Sequence, residues 1–337
     1  MNTVQWDADT LLKISGSYWE SFTLHAAVKL GIFTIIGDEQ LTVDEIAGRM
    51  NGNKRGVAML LNALTAMGIL HRQGNRYANT PTGLLYLSKN SDEYLGHIIM
   101  HHHHLVDSWS QLDQAVKTGA PVRVRASFGE EGFRESFLIG MYNIAKNLAP
   151  RVVDAIDLSR SRHLLDLGGG TGTYAIYFCL KNPHLRATVF DLPSTEPFAR
   201  RMIERFGLKD RINFVAGDYV EENIPGSYDV AWLSQILHAE DPDECRKIIN
   251  KTVSVLRGGG VIIVHDFLLD DTMDGPLRPA LFSLNMLVGT EGGKSYSEGE
   301  IIRMLADAGV RDVRRIPFQS PGDSGIILGY VQELRET

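Results

Sequence analysis

The stretch His163-Leu-Leu-Asp-Leu-Gly-Gly-Gly-Thr-Gly172 constrains this chain more than any other. Apolar residues around one carboxylate, Asp166, spell a short buried strand, and the glycines after it spell a tight turn into a helix opening near Thr173. Glycine has no Cβ, so at Gly168, Gly170 and Gly172 a bulky ligand can approach the backbone, and the first amides of the helix line the same pocket. The turn is not a dinucleotide fingerprint, because G-x-G-x-x-G counted from Gly168 demands a glycine where Thr173 stands. A glycine-rich surface turn is the bland alternative, and the next strands argue against it.

The second apolar strand, Ala187–Phe190, ends in Asp191-Leu-Pro, and an acid at a strand tip can accept hydrogen bonds from a ribose diol. A further strand, 212–216, ends in Gly217-Asp218-Tyr219, which suits a purine held by edge and face. Consecutive strands that each end in an acid or a glycine point to an adenosine-bearing ligand. Apolar runs over Tyr228–Leu233 and Val261–Asp266 continue the alternation, with a helix from Pro242 to about Leu256 between them. A helix over Glu298–Ala308 leads to closing strands at 310–317 and 325–331. Such alternation predicts a parallel sheet covered on both faces, with its ligand at the C-terminal ends of the strands.

The N-terminal part reads differently. Apolar positions recur at helical spacing from 10 to 36, and Thr42-Val-Asp-Glu45 is a capping box whose helix stops at Asn51-Gly52. A helix over Lys54–Met67 ends at Gly68, and Ile69–Tyr77 reads as a hairpin around Gly74-Asn75. Helix, helix and hairpin make a winged-helix pattern, which raises a DNA-binding regulator as the rival function class. Against it, the second helix carries only Lys54 and Arg55 before the apolar run Val57–Met67, unsuited to a groove lined with phosphates. The net charge of −7 and the lack of a basic run also argue against nucleic acid or an anionic membrane as partner. No apolar run approaches the length of a membrane span, the start is polar, and Cys179 and Cys245 have no ligand spacing, so a cytoplasmic protein with reduced thiols is expected.

Asp166-Leu-Gly-Gly-Gly-Thr-Gly172, Phe190-Asp-Leu-Pro193, Gly217-Asp218, Leu237-His238, Asp243-Glu-Cys245, Gly258-Gly-Gly260 and Gly292-Gly-Lys294 together carry a family likeness. The sequence resembles the class I S-adenosylmethionine-dependent methyltransferases, and more narrowly the caffeate and acetylserotonin O-methyltransferases with their bacterial small-molecule relatives. The resemblance runs nearly the whole length. It implies an α/β fold, a Rossmann-like methyltransferase sheet behind an N-terminal α-helical winged-helix-like dimerisation domain. The implied segments are 1–95 for dimerisation, 96–144 as a helical connector lining the acceptor pocket, and 145–337 for catalysis.

The implied cofactor is S-adenosyl-L-methionine, leaving as S-adenosyl-L-homocysteine. By the resemblance it is held by Asp166, Gly168, Gly170, Gly172, Asp191, Leu192, Gly217, Asp218, Tyr219, Ser234 and Phe137. Met141, His101, His104, Asn285 and Tyr296 fall to a small-molecule acceptor, and a homodimer is implied. His97, His101 and His104 share one helical face, and an i, i+4 histidine pair could hold a metal. Pocket lining is the better reading, a solvated face comes next, and no metal is expected.

Methyl transfer to a phenol needs alignment and a base. A phenol titrates at about 10 and an imidazole at about 6.5, an uphill transfer of about 5 kcal/mol that electrostatics can lower. His238 follows the fourth strand and matches the catalytic histidine of the family, while Asp266 takes the place of the carboxylate that orients it. Strand alternation lets only one of His265 and Asp266 face that site. Ala239-Glu240 stand where the family has Asp-Trp, and Ser295-Tyr296 where it has a second carboxylate. Lys294 reads as a solvated side chain. The leading expectation is O-methylation of an aromatic or polyketide-like hydroxyl; the alternatives are C-methylation of a quinone-like substrate and a cofactor-binding winged-helix regulator.

Overall fold

The computed structural model describes residues 6–124, 131–318, 320 and 322–332. The chain divides into two compact units, Met1–Leu105 with Glu135–Asn143, and Val106–Arg134 with Ile144–Thr337.

In the first unit, α1 (Ala8–Gly16), α2 (Tyr18–Lys29) and α3 (Ile32–Ile36) precede β1 (Leu41–Thr42), α4 (Val43–Met50), α5 (Lys54–Ala66), β2 (Leu70–Gln73), β3 (Arg76–Asn79) and α6 (Pro81–Leu87). The strands form a small antiparallel sheet in the order β1-β3-β2. Each helix start has a local cause. Thr42 and Glu45 close a capping box on α4, and the Asn53 side chain accepts the amides of Arg55 and Gly56 to open α5. Gly68, left-handed at φ +75°, ends α5 and lets the Ile69 amide return to the Leu64 carbonyl. One face of α5 buries Val57, Leu61 and Leu64 against Phe33, Ile36, Ile46 and Tyr77. By contrast α1 buries nothing, and Leu11, Leu12, Ile14, Tyr18, Trp19 and Phe22 stand exposed along α1 and α2.

Two long helices contribute residues to both units, α7 (Gly96–Trp109) and, after α8 (Leu112–Thr118), α9 (Glu131–Ala155). Within the first unit they cross closely at Gly140, where a Cβ would lie 3.1 Å from the Cα of Ile98.

The second unit alternates β4 (His163–Leu167), α10 (Thr173–Lys181), β5 (Arg186–Asp191), α11 (Glu196–Arg205), β6 (Ile212–Ala216), β7 (Tyr228–Ser234), α12 (Pro242–Ser254) and β8 (Leu256–Leu269). It closes with α13 (Leu277–Leu287), β9 (Tyr296–Ser297), α14 (Glu298–Asp307), β10 (Val310–Ile316) and β11 (Ser324–Val331). The sheet order is β10-β11-β8-β7-β4-β5-β6, with β9 paired to β8 beyond this path. Strands β4 to β8 run parallel, and β11 and β10 close one edge antiparallel. The order reverses at β4, between β5 and β7, which opens a crevice at the C-terminal strand ends. Both faces of the central strands are covered, so β7 reads as a nearly continuous apolar run.

One boundary differs from the sequence reading. The last parallel strand is expected to begin at Val261, after the glycines, but β8 runs from Leu256 through them. Tyr228 pairs with Leu256 and Val230 with Val261, so the glycine tract is a bulge in the ladder. A Cβ on Gly260 would stand 2.8 Å from the Arg257 carbonyl, which is why glycine occupies it. Among the described residues no helix is long and apolar enough to cross a membrane.

Candidate active site

The glycine turn joins β4 to α10 with Gly168, Gly170 and Gly172 all left-handed, at φ +63°, +56° and +72°. A Cβ on Gly168 would meet Ile236 Cγ2 at 2.5 Å, whereas one on Gly170 would meet nothing within 4 Å. Gly168 is therefore glycine for packing, and Gly170 for conformation beside open space. The Gly170 amide donates to Asp191 Oδ2 at 2.7 Å, while Asp191 Oδ1 accepts from the Leu192 amide at 2.7 Å and Thr195 Oγ1 at 3.2 Å. The acid at the tip of β5 thus stitches the turn in place.

Asp166 lies beneath the turn at 1% exposure. Its Oδ2 accepts the Ala175 amide at 3.1 Å, and its Oδ1 is buried with no partner among the described residues. Burial pushes this carboxyl up to about 7, against the pull of the Ala175 amide and with the help of the Asp191 charge. Just after β6, Gly217 is required by Phe190, whose Cζ would stand 2.5 Å from a Cβ there. The Asp218 carboxylate caps the following turn through the Val220 amide at 2.8 Å, and the Tyr219 ring packs inward in the core beside Leu167 and Phe190. The same ring reaches the glycine turn, its Cε1 3.2 Å from where a Cβ on Gly168 would stand.

After β7, Gln235 adopts a left-handed backbone at φ +59°, its amide donating to the His265 carbonyl at 2.8 Å. This sharp bend carries the chain into the short turn Leu237–Ala239, which presents His238. His238 Nδ1 lies 2.7 Å from Asp266 Oδ1, and the His238 amide reaches Asp266 Oδ2 at 3.4 Å. A carboxylate partner assigns the proton to Nδ1 and leaves Nε2 as an acceptor. Gly293 lets the backbones meet behind the base, since a Cβ there would lie 2.5 Å from the His238 carbonyl.

Aromatic side chains that the sequence reading missed wall this dyad. Phe282 on α13 meets the His238 ring edge-on at 4.8 Å, and Phe267 packs on Phe282 at 4.6 Å. Asn285, one turn beyond Phe282, accepts from Trp109 Nε1 at 3.1 Å, which orients its amide with the NH2 group still to donate. The register of α13 against His238 is set by tertiary packing and leaves no local mark in the sequence.

Several expected residues are engaged elsewhere. Ser234 at the end of β7 binds His265 Nδ1 at 2.9 Å. Tyr296 is 2% exposed and donates to the Glu240 carbonyl at 2.7 Å, and buried Ser295 donates to the Pro279 carbonyl at 2.8 Å. Neither hydroxyl stands in for a second carboxylate at His238. Lys294 is no solvated lysine: it pairs with Glu300 at 2.6 Å.

The connector's candidate site residues, His101, His104, Phe137 and Met141, belong to the first unit. There the His101 ring meets Phe137 at 5.3 Å, Met141 sits one turn along α9 from Phe137, and His103 contacts His25 at 5.6 Å. Burial holds the His97 and His104 imidazoles below the usual histidine range, unlike a solvated face. No cluster of three or more metal-ligating side chains occurs among the described residues. A cleft of about 400 Å³ lined by Arg186, Lys209, Arg211 and Arg257 opens at the N-terminal strand ends, the edge of the sheet opposite the glycine turn.

Residues 109–311 match the O-methyltransferase domain, and residues 12–89 match the O-methyltransferase dimerisation domain. The 3-hydroxy-5-methyl-1-naphthoate 3-O-methyltransferase of Streptomyces sahachiroi is 34% identical over 95% of this chain and 94% of its own length. An O-methyltransferase family protein from Burkholderia thailandensis has the same fold, with a TM-score of 0.89 at 27% identity over 98% of this chain and 99% of that one. Human N-acetylserotonin methyltransferase, solved in complex with S-adenosylmethionine, gives 0.86 at 26% identity over 98% of this chain and 100% of its own. The residues at the crevice suit that cofactor: an open glycine turn, the Asp191 carboxylate at the strand tip beside it, and a buried Asp166 oxygen with no partner among the described residues that favours a cationic ligand. The chain belongs to the S-adenosylmethionine-dependent O-methyltransferase family.

Proposed function

We propose that this enzyme methylates a hydroxyl group on an aromatic, polyketide-like small molecule, with His238 as general base and Asp266 as its orienting partner. The observation that carries the reading is the 2.7 Å contact between His238 Nδ1 and Asp266 Oδ1. It leaves Nε2 unprotonated, and the Phe282 ring packed on the imidazole offers an aromatic acceptor a matching wall. When bound, S-adenosylmethionine supplies a methyl group on a sulfonium, ready for displacement by an oxygen nucleophile. His238 takes the hydroxyl proton at Nε2, and Asp266 stabilises the imidazolium that results. General-base assistance contributes about 10²–10⁴-fold, and alignment by the surrounding residues about 7–11 kcal/mol.

The glycine turn, Asp191 and Asp218 bind the nucleoside in this reading, and Asn285 donates to the acceptor. Met141, His101 and His104 are assigned to the acceptor, and Phe137 to the cofactor, on the family match alone. A homodimer is inferred from the dimerisation-domain match together with the exposed apolar residues of α1 and α2, and a cytoplasmic location from the two buried free thiols, Cys179 and Cys245. Aromatic acceptors are favoured because the naphthoate methyltransferase relative is named for such a substrate.

Calorimetric titration with S-adenosylmethionine and S-adenosylhomocysteine, followed by a screen of naphthols and anthraquinones, tests the proposal. The expected product carries the new methyl carbon on oxygen by NMR. A methyl on ring carbon, or no binding of either nucleoside, would remove it.

A further inference from the structure

His265, the residue before Asp266, takes no part in the proton transfer described above. Alternation along β8 sends its side chain to the opposite face of the sheet, where it is 1% exposed. Its ring is fully committed there. Nδ1 lies 2.9 Å from Ser234 Oγ, at the end of β7, and Nε2 lies 2.9 Å from Ser324 Oγ, at the start of β11. These are the two neighbours of β8 in the sheet, so one imidazole ties the strand to both sides. Trp232 stacks on the ring at 5.5 Å with 21° between planes, and Tyr174 and Phe318 meet it edge-on.

The main chain carries the same connection. The His265 carbonyl accepts the amide of Gln235, the left-handed residue that begins the turn to His238. Both halves of the dyad therefore depend on this position: Asp266 is its covalent neighbour, and His238 hangs from a bend anchored on its carbonyl. Burial pushes the His265 imidazole down to about 4, partly opposed by the charge of Asp266, so the ring stays neutral, with one N–H and one acceptor nitrogen. Each nitrogen of a buried ring needs a partner, and here the two partners come from the strands on either side of β8, so satisfying the ring ties three strands together.

We propose that His265 is a positioning residue, setting through β8 where Asp266 stands and thereby which nitrogen of His238 carries the proton. The inference rests on the reading of His238 as base. A productive site must hold its groups within about 0.5 Å of the working geometry, so a loosened strand end is enough to lose the alignment.

The test is ¹⁵N-histidine NMR of the enzyme bound to S-adenosylhomocysteine, with the His238 signal assigned by its loss in His238→Gln. It is paired with kcat and with KM for S-adenosylmethionine on a naphthol acceptor. The wild type is expected to show the Nδ1–H tautomer, and Asp266→Asn to lose it. His265→Leu is expected to give a tautomer mixture and a kcat about tenfold lower, with the cofactor KM within about twofold. His265→Asn, which can keep the Ser234 contact, should recover part of both, and Ser324→Ala should fall between. Ile263→Val, on the same face of β8, controls for simple loss of packing and should leave the tautomer unchanged. If Asp266→Asn shifts the tautomer and neither His265→Leu nor Ser324→Ala does, the positioning role is overturned while the dyad stands. If Asp266→Asn shifts nothing, the dyad itself fails. Should His265→Leu not fold, His265→Asn and Ser324→Ala decide the question alone.

Discussion

Asp266 accepts the Nδ1 proton of His238 across 2.7 Å while its carboxylate is held by the amide of the next residue in the strand: Phe267 N donates to the same Oδ1 at 2.8 Å. The carboxylate is thus fixed from behind, and the imidazole is fixed by the carboxylate. Asp266→Asn keeps the shape and lets an amide donate where only an acceptor serves. The expected outcome is a fall in kcat of about 10²–10⁴-fold, with cofactor affinity by calorimetry unchanged.

The glycine turn separates packing from ligand approach. Gly168→Ala places a Cβ 2.5 Å from Ile236 Cγ2 in a left-handed conformation, so thermal unfolding should move down by several degrees. Gly170→Ala pays only the left-handed conformation, about 1 kcal/mol, because its Cβ points into open space. Its larger effect is expected on the Kd for S-adenosylmethionine, which calorimetry reads directly.

Two buried groups act oppositely on stability between about pH 4 and pH 6.5. The Asp166 carboxyl rises from 3.8 to about 7 on folding, so its contribution is complete below pH 3.8 and is lost as pH rises through about 7. His265 falls from 6.5 to about 4, so its contribution is present above pH 6.5 and is lost as pH falls through about 4. Each imposes a slope of about 1.4 kcal/mol per pH unit in the shared window, of opposite sign. Urea melts without cofactor should therefore show stability rising with pH in Asp166→Asn and falling with pH in His265→Asn. Equal slopes in the two variants would contradict both assignments.

Phe282 and Asn285 share a face of α13, and Trp109 orients the Asn285 amide. Phe282→Ala is expected to raise the acceptor KM at least severalfold and leave cofactor binding intact. Trp109→Phe removes only the indole donor at 3.1 Å, so a smaller rise in the same KM is the expected result from initial-rate measurements.

Much of the site was legible because its logic is local. The glycine turn, the acid ending β5 and the His238 turn each sit at a strand terminus, where pattern and position coincide. Alternation also foretold that His265 and Asp266 face apart. Three features were hidden. The aromatic pair Phe267 and Phe282 depends on how α13 rotates against the His238 turn. Tyr296 turns inward because the Glu240 carbonyl claims its hydroxyl, which no spacing reveals. The glycines at 258–260 look like a turn before a strand, yet they bulge within it, because the pairing of β8 with β7 resumes at Val230.

His238→Ala tests the central claim most directly, in a single-turnover assay with methyl-labelled S-adenosylmethionine and a naphthol that the wild type accepts. The expected result is wild-type cofactor affinity with methyl transfer slowed at least about a hundredfold. Transfer at the wild-type rate would contradict the assignment of His238 as the base.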